Sequence, residues 1–97
     1  MSIVATKAIT AENQWSTKFQ LQGDDGHLPG RRALICATRD DSTVTLRRYG
    51  ADGTTVIASL DLGSVMEAVE VPVAGIYDVG VATGNYGAAA VTLTVEQ

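Results

Sequence analysis

The residues of this chain that could do chemistry are few, and most fall in loops. Two carboxylate pairs, Asp24-Asp25 and Asp40-Asp41, sit in turn-rich segments. Calcium takes about six to eight oxygen ligands, often from such loops. Neither pair follows an EF-hand spacing, and Asp and Gly are ordinary turn residues, so turn formation accounts for both. His27 is the single histidine and lies close to Asp24 and Asp25 in QGDDGHLPG at 22–30. A general-base pair or a metal site would need a second histidine or an adjacent nucleophile, and the sequence supplies neither. His27 reads as a surface loop residue. Cys36 is the single cysteine, so no internal disulfide forms. Lacking a histidine partner, it reads as a buried thiol in an apolar run. The glycines at 50–53 and 84–87 precede no helix and make no phosphate cradle. No nucleophile, base and orienting group can be assembled, and the expectation is a non-enzymatic chain with no catalytic residue, metal or cofactor.

Aromatic residues offer one more binding chemistry. Trp15, Tyr49 and Tyr86 could stack against a sugar ring. Trp15 lies in phase with Phe19 and Leu21 and reads as core, which leaves Tyr49 and Tyr86 as the candidate platform. Tyr86, in a turn, is the more exposed by sequence.

Charge narrows the partners. The chain has 97 residues, a formal net charge of −4 and 19% charged residues. Binding a nucleic-acid backbone needs clustered positive charge, so nucleic acid is an unsuitable partner. Arg31, Arg32, Arg39, Arg47 and Arg48 fall within 18 positions. They offer a local basic patch for a protein partner. Against this, strand alternation sends Arg47 and Arg48 to opposite faces, with one arginine stem lying over apolar surface. No segment approaches the roughly 18 apolar residues of a membrane-spanning helix. MSIVATKAITAENQ lacks the apolar stretch of a signal peptide, which leads to the expectation that the chain is made in a cytoplasm. Small size and low charge density point to a homo-oligomer, a trimer being the favoured form.

The elements that must position these residues are strands. Tyr77, Val79 and Val81 alternate, as do Val91, Leu93 and Val95, with Gly84, Asn85 and Gly87 turning the chain between them. Gln14–Leu21 alternates with Trp15, Thr17, Phe19 and Leu21 on one face. Arg32–Thr38 reads as a fully buried central strand. Thr43–Tyr49 and Thr54–Leu60 make a hairpin about Asp52-Gly53, and Val65–Val71 ends at Pro72. About seven strands with frequent turns predict an all-β fold, a single antiparallel β-sandwich or jelly-roll-like barrel over residues 14–97. Residues 1–13 read as an N-terminal arm or an edge strand, with Ile3, Val4 and Ile9 as possible anchors. The expected core includes Leu34, Val44, Leu46, Tyr77, Val79, Val91 and Leu93.

Two stretches carry a resemblance. Ser42-Thr43-Val44-Thr45-Leu46-Arg47-Arg48 runs on to Asp52-Gly53-Thr54-Thr55, and Val71-Pro72 is followed by Gly75-Ile76-Tyr77. Together with the order of strands over residues 14–97, they resemble small all-β structural proteins of tailed bacteriophages. Val73-Ala74 departs from the shorter Pro-to-Gly connection usual in that group. The resemblance implies a non-enzymatic virion component, foremost a capsid decoration (cement) protein that stabilises the assembled head. A tail or head-fibre attachment protein is a variant of that reading. It implies the major capsid protein or another virion protein as partner, and the virion as final location. Expected partner contacts are Ile3, Val4, Ile9, Arg31, Arg32, Arg47, Arg48 and Tyr86. The alternative from another class is a carbohydrate- or host-surface-binding β-sandwich module using Tyr49 and Tyr86.

Overall fold

The computed structural model describes residues 2–23, 31–71 and 73–97. Asp24, Asp25, His27 and Pro72 lie outside the described residues. Nine strands form two antiparallel sheets: β1 (Ile3–Ile9), β2 (Gln14–Trp15), β3 (Phe19–Leu21), β4 (Arg32–Ala37), β5 (Val44–Tyr49), β6 (Val56–Leu62), β7 (Met66–Glu70), β8 (Gly75–Val81) and β9 (Val91–Glu96). One sheet has the order β1-β9-β4-β7. The other runs β2-β8-β5-β6, with β3 also on β8. No helix occurs among the described residues. The chain is an all-β antiparallel sandwich.

The alternation in β5, β8 and β9 decides which side chains meet between the sheets. Val44, Leu46, Tyr77, Val79, Val91, Leu93 and Val95 are buried there, with Ile9, Phe19, Leu21, Ala33 and Ile35. Burying such side chains stabilises by about 1.5–3 kcal/mol each. β1 pairs with β9 from Ile3↔Glu96 to Ile9↔Val91, and Ile9 is 0% exposed. Residues 3–9 are therefore an edge strand of the sandwich and not an arm reaching beyond it. The sandwich begins there and not at residue 14.

Two strand phases differ from the sequence expectation. Trp15 pairs with Gly80, whereas Phe19 pairs with Tyr77. The four steps from Trp15 in β2 to Phe19 in β3 thus match three along β8, which leaves one residue extra. Such a bulge reverses the phase. Trp15 faces outward, half-buried, while Phe19 and Leu21 enter the core. Ser16 holds the bulge: its N–H donates to Val79 O at 2.7 Å and its Oγ accepts from Val79 N–H at 3.1 Å. In β4, Ala33 and Ile35 are the buried pair, while Leu34 and Cys36 are half-buried on the outer face. β4 is central, between β9 and β7, but only one of its faces is covered. Cys36 is accordingly not the deeply buried thiol expected.

Candidate functional site

The outer face of the β2/β3-β8-β5-β6 sheet carries a built polar cluster. In β5 and β8, Arg47 pairs with Asp78, placing both side chains on the same face. The guanidinium donates twice, Nε to Asp78 Oδ1 at 2.9 Å and Nη2 to Oδ2 at 2.6 Å. Tyr49 donates its hydroxyl to Asp78 Oδ2 at 2.7 Å. Asp78 is only 2% exposed, so all its compensation comes from these two residues. Trp15 lies over the pair, its ring centroid 3.5 Å from Arg47 Cζ. The lack of a side chain at Gly80 makes this possible, since a Cβ there would stand 2.7 Å from Trp15 Cε3. Lys18 Nζ closes the far side, 4.6 Å from the Tyr49 ring centroid, and donates to Gly53 O at 2.6 Å.

The electrostatics follow from the geometry. The hydrogen bond to Asp78 raises the pKa of Arg47 against the opposing effect of burial. Burial first, and then the bond to Asp78, holds the Tyr49 phenol above its ordinary value. The cluster is closed on itself: each charged donor has its acceptor, and the aromatic rings are spent on cations of the same chain. This arrangement braces a sheet face. The Asp78 signal was present in the sequence, as a carboxylate inside a strand that alternates apolar residues, but its partner lies 31 positions away.

The expected basic patch does not assemble. Arg32 stands 4.0 Å from Glu70 on one sheet, Arg39 reaches Asp41 at 2.9 Å, and Arg47 is engaged as above. Arg31, beside Arg32, uses its carbonyl to accept from Val71 N–H at 3.0 Å. Of the Asp40-Asp41 pair, Asp41 is committed to Arg39 and to Ala88 N–H. The bonds from Arg39 and Ala88 hold its carboxyl below the ordinary range. Ile9 is core and has no surface to offer a partner, whereas Ile3 and Val4 are exposed. Tyr86 packs against the core and Tyr49 is buried, so the two do not make an open aromatic platform.

The surface that remains open is the β6–β7 side. At the opposite side of the sandwich, β1 approaches β2, β3 and β8. Here β6 and β7 leave a groove of about 200 Å³ between the sheets, lined by Leu46, Arg48, Ala58, Leu60, Val69 and Tyr77. Leu60 lies across from Leu46 and shares its inner face, yet Leu60 is 49% exposed and Leu46 5%. On the same side Ile57 on β6 and Val65 before β7 are exposed, whereas Val56, across from Tyr49, and Met66, across from Cys36, lie on the outer faces of the two sheets. Among the described residues β6 pairs only with β5 and β7 only with β4, so both present free backbone edges. Arg48 lines the groove, and its Nε is buried with no hydrogen-bond partner among the described residues. Alternation puts Arg48 opposite Arg47, but the open edge beside Leu60 follows from strand order and not from the local sequence.

The chain matches no known protein family, no characterised protein and no solved structure among those with which it was compared.

Proposed function

We propose that this chain is a non-enzymatic structural protein of a tailed-phage virion, a capsid decoration protein that binds the assembled shell. The observation that carries this reading is the open β6–β7 side. Large exposed apolar patches with free strand edges mark protein-interaction surfaces. The resemblance of residues 42–55 and 71–77 to small phage structural proteins supplies the context. A protein that spans neighbouring shell subunits stabilises the lattice by mass action, because dissociation must also break its contacts. In this reading the domain acts in many copies, as trimers, and the sheet face braced by Arg47 and Asp78 keeps the docking side rigid.

Co-sedimentation with empty phage heads tests the reading. The wild-type chain should pellet with shells and not with free capsid subunits. Leu60→Glu should stay in the supernatant while keeping its circular dichroism spectrum, since the Leu60 side chain is already half exposed. Equal pelleting of the two proteins contradicts the proposal.

A further inference from the structure

We propose that the free edge of β6 pairs with the β6 edge of a second copy of this chain, antiparallel about a two-fold axis at Leu60. The inference rests on how the sheet edges are built and does not depend on the virion reading.

An unpaired strand edge invites another chain, and proteins blunt such edges with short strands, bulges and inward-pointing charges. The described residues form four sheet edges, at β1, at β7, at β2/β3 and at β6. Three of them are blunted. On β1, Lys7 lies across from the buried Leu93, which puts a charge on the inner face, and the register shifts between Ile3 and Ala5. On β7, Glu67 lies across from the buried Ile35 and puts a carboxylate on the inner face. The β2/β3 edge consists of strands of two and three residues, broken by the bulge at Ser16. β6 has none of these devices between Ala58 and Leu62. Its ladder with β5 is regular there, and its inner residues are Ala58, Leu60 and Leu62. The one charge of the stretch, Asp61, lies across from Thr45 on the outer face.

Charge selects the occupant. Laying β6 on the β7 edge of another copy sets Asp61 beside a strand carrying Glu67 and Glu70, with no basic residue on either strand. Laying it on the β1 edge brings the Lys7 ammonium among the inner leucines of β6, where burial of a charge is costly. Only β6 itself offers an edge that is apolar inside and uncrowded by charge outside.

The register follows. Residues directly opposite in an antiparallel pair share a face, so like faces must meet. A pair centred on Asp61 sets two carboxylates against each other. A pair centred on Ser59 sets Asp61 against Ile57, the residue left over where Arg48 pairs with Ala58 and Tyr49 with Val56. A pair centred on Leu60 engages the whole regular stretch. Leu60, 49% exposed in the single chain, then meets Leu60 of the copy, and Ala58 meets Leu62. Asp61 meets Ser59 on both sides of the axis. Thr45 Oγ1 donates to Asp61 Oδ1 at 2.8 Å, and the Ser59 hydroxyl of the copy is the donor for Oδ2. Each contact occurs twice, as a two-fold interface requires. Being two-fold, the contact is separate from the three-fold one of a trimer. It leaves the β7 edge and Val65 open to a shell.

Sedimentation equilibrium of the full chain over a concentration series tests the pairing. The mass should rise toward twice that of the monomer. Leu60→Lys sets two ammonium groups face to face and should weaken the association at least about tenfold. Its stem reaches water from a half-exposed site, so the circular dichroism spectrum should stay native. In a Cys36→Ser background, Leu60→Cys should cross-link under mild oxidation. Ala58→Cys should not, because the register holds the two copies of Ala58 at opposite ends of the paired stretch. The inference is overturned by a monomer throughout the series, by an association that Leu60→Lys leaves unchanged, or by equal cross-linking at the two positions. A monomer that sediments with shells loses this inference and keeps the virion reading. A pair that is absent from particles keeps this inference and loses the virion reading.

Discussion

Removing the Asp78 carboxylate tests the bracing of the outer sheet face. Asp78→Ala deletes the acceptor of three hydrogen bonds, from Arg47 Nε, Arg47 Nη2 and Tyr49 Oη. Breaking a buried ion pair by taking away one partner costs about 3–5 kcal/mol. The Arg47 side chain is 24% exposed, so water takes over some of its donors. The expected loss is therefore about 1 kcal/mol smaller, about 2–4 kcal/mol. For a domain of this size 1 kcal/mol moves Tm by about 4–8 °C, so Tm should fall by roughly 10–30 °C. Asp78→Asn keeps an acceptor of similar shape without the charge and should lose about 1–2 kcal/mol. Urea unfolding at neutral pH, followed by circular dichroism, gives both numbers. A double-mutant cycle with Arg47→Met should return a coupling of at least about 1 kcal/mol. A loss under about 0.5 kcal/mol for Asp78→Ala, with no coupling, would show that the cluster braces nothing.

Further predictions concern the core, the bulge, the hairpin and the first strand. Leu46→Ala and Leu93→Ala should each cost about 2–5 kcal/mol in urea unfolding, because both side chains are buried between the sheets. Gly80→Ala should cost about 1–3 kcal/mol, because the new methyl meets the Gln14 carbonyl and the Trp15 ring, and a tryptophan fluorescence shift should report the displaced ring. In the β5–β6 hairpin Asp52 accepts from Thr55 Oγ1 and from the N–H groups of Thr54 and Thr55; these bonds, the Thr55 hydroxyl foremost, hold its carboxyl well below the ordinary 3.8. A depressed folded pKa gives stability that is present above the unfolded value and is lost as pH falls toward the folded one. Asp52→Ala should therefore flatten the acid limb of stability against pH below about 4, and an unchanged limb refutes this role. Deleting residues 2–9 should unfold the domain, since β9 would lose its neighbour and Ile9 would leave the core; a truncated chain with native circular dichroism contradicts that placement.

Period-two alternation made much of this fold readable. Val44, Leu46, Tyr77, Val79, Val91 and Leu93 are all buried as their spacing demands. Where the structure departs from that spacing, the causes are physical. Trp15 and Phe19 share a phase in sequence, but the bulge at Ser16 breaks it, and nothing local announces a bulge whose reason is a register against β8. Leu34 and Cys36 belong to a continuous apolar run, where either parity looks like core until the neighbouring strands are known. The candidate site was less legible still. Arg47 and Arg48 could be sent to opposite faces, but Asp78 as the partner of Arg47 and the free edge of β6 beside Leu60 depend on strand order. Strand order joins residues far apart in the chain, and a single sequence does not display it.

The central claim is that this chain is a structural part of a particle. Quantitative mass spectrometry of purified tailed-phage particles, from cells that make the chain, tests it most directly. The account predicts the chain in every preparation, at a constant ratio to the major capsid protein through successive density gradients. It also predicts that Leu60→Glu lowers that ratio several-fold with no loss of expression. Particles free of the chain, while the folded protein accumulates in the lysate, would contradict it.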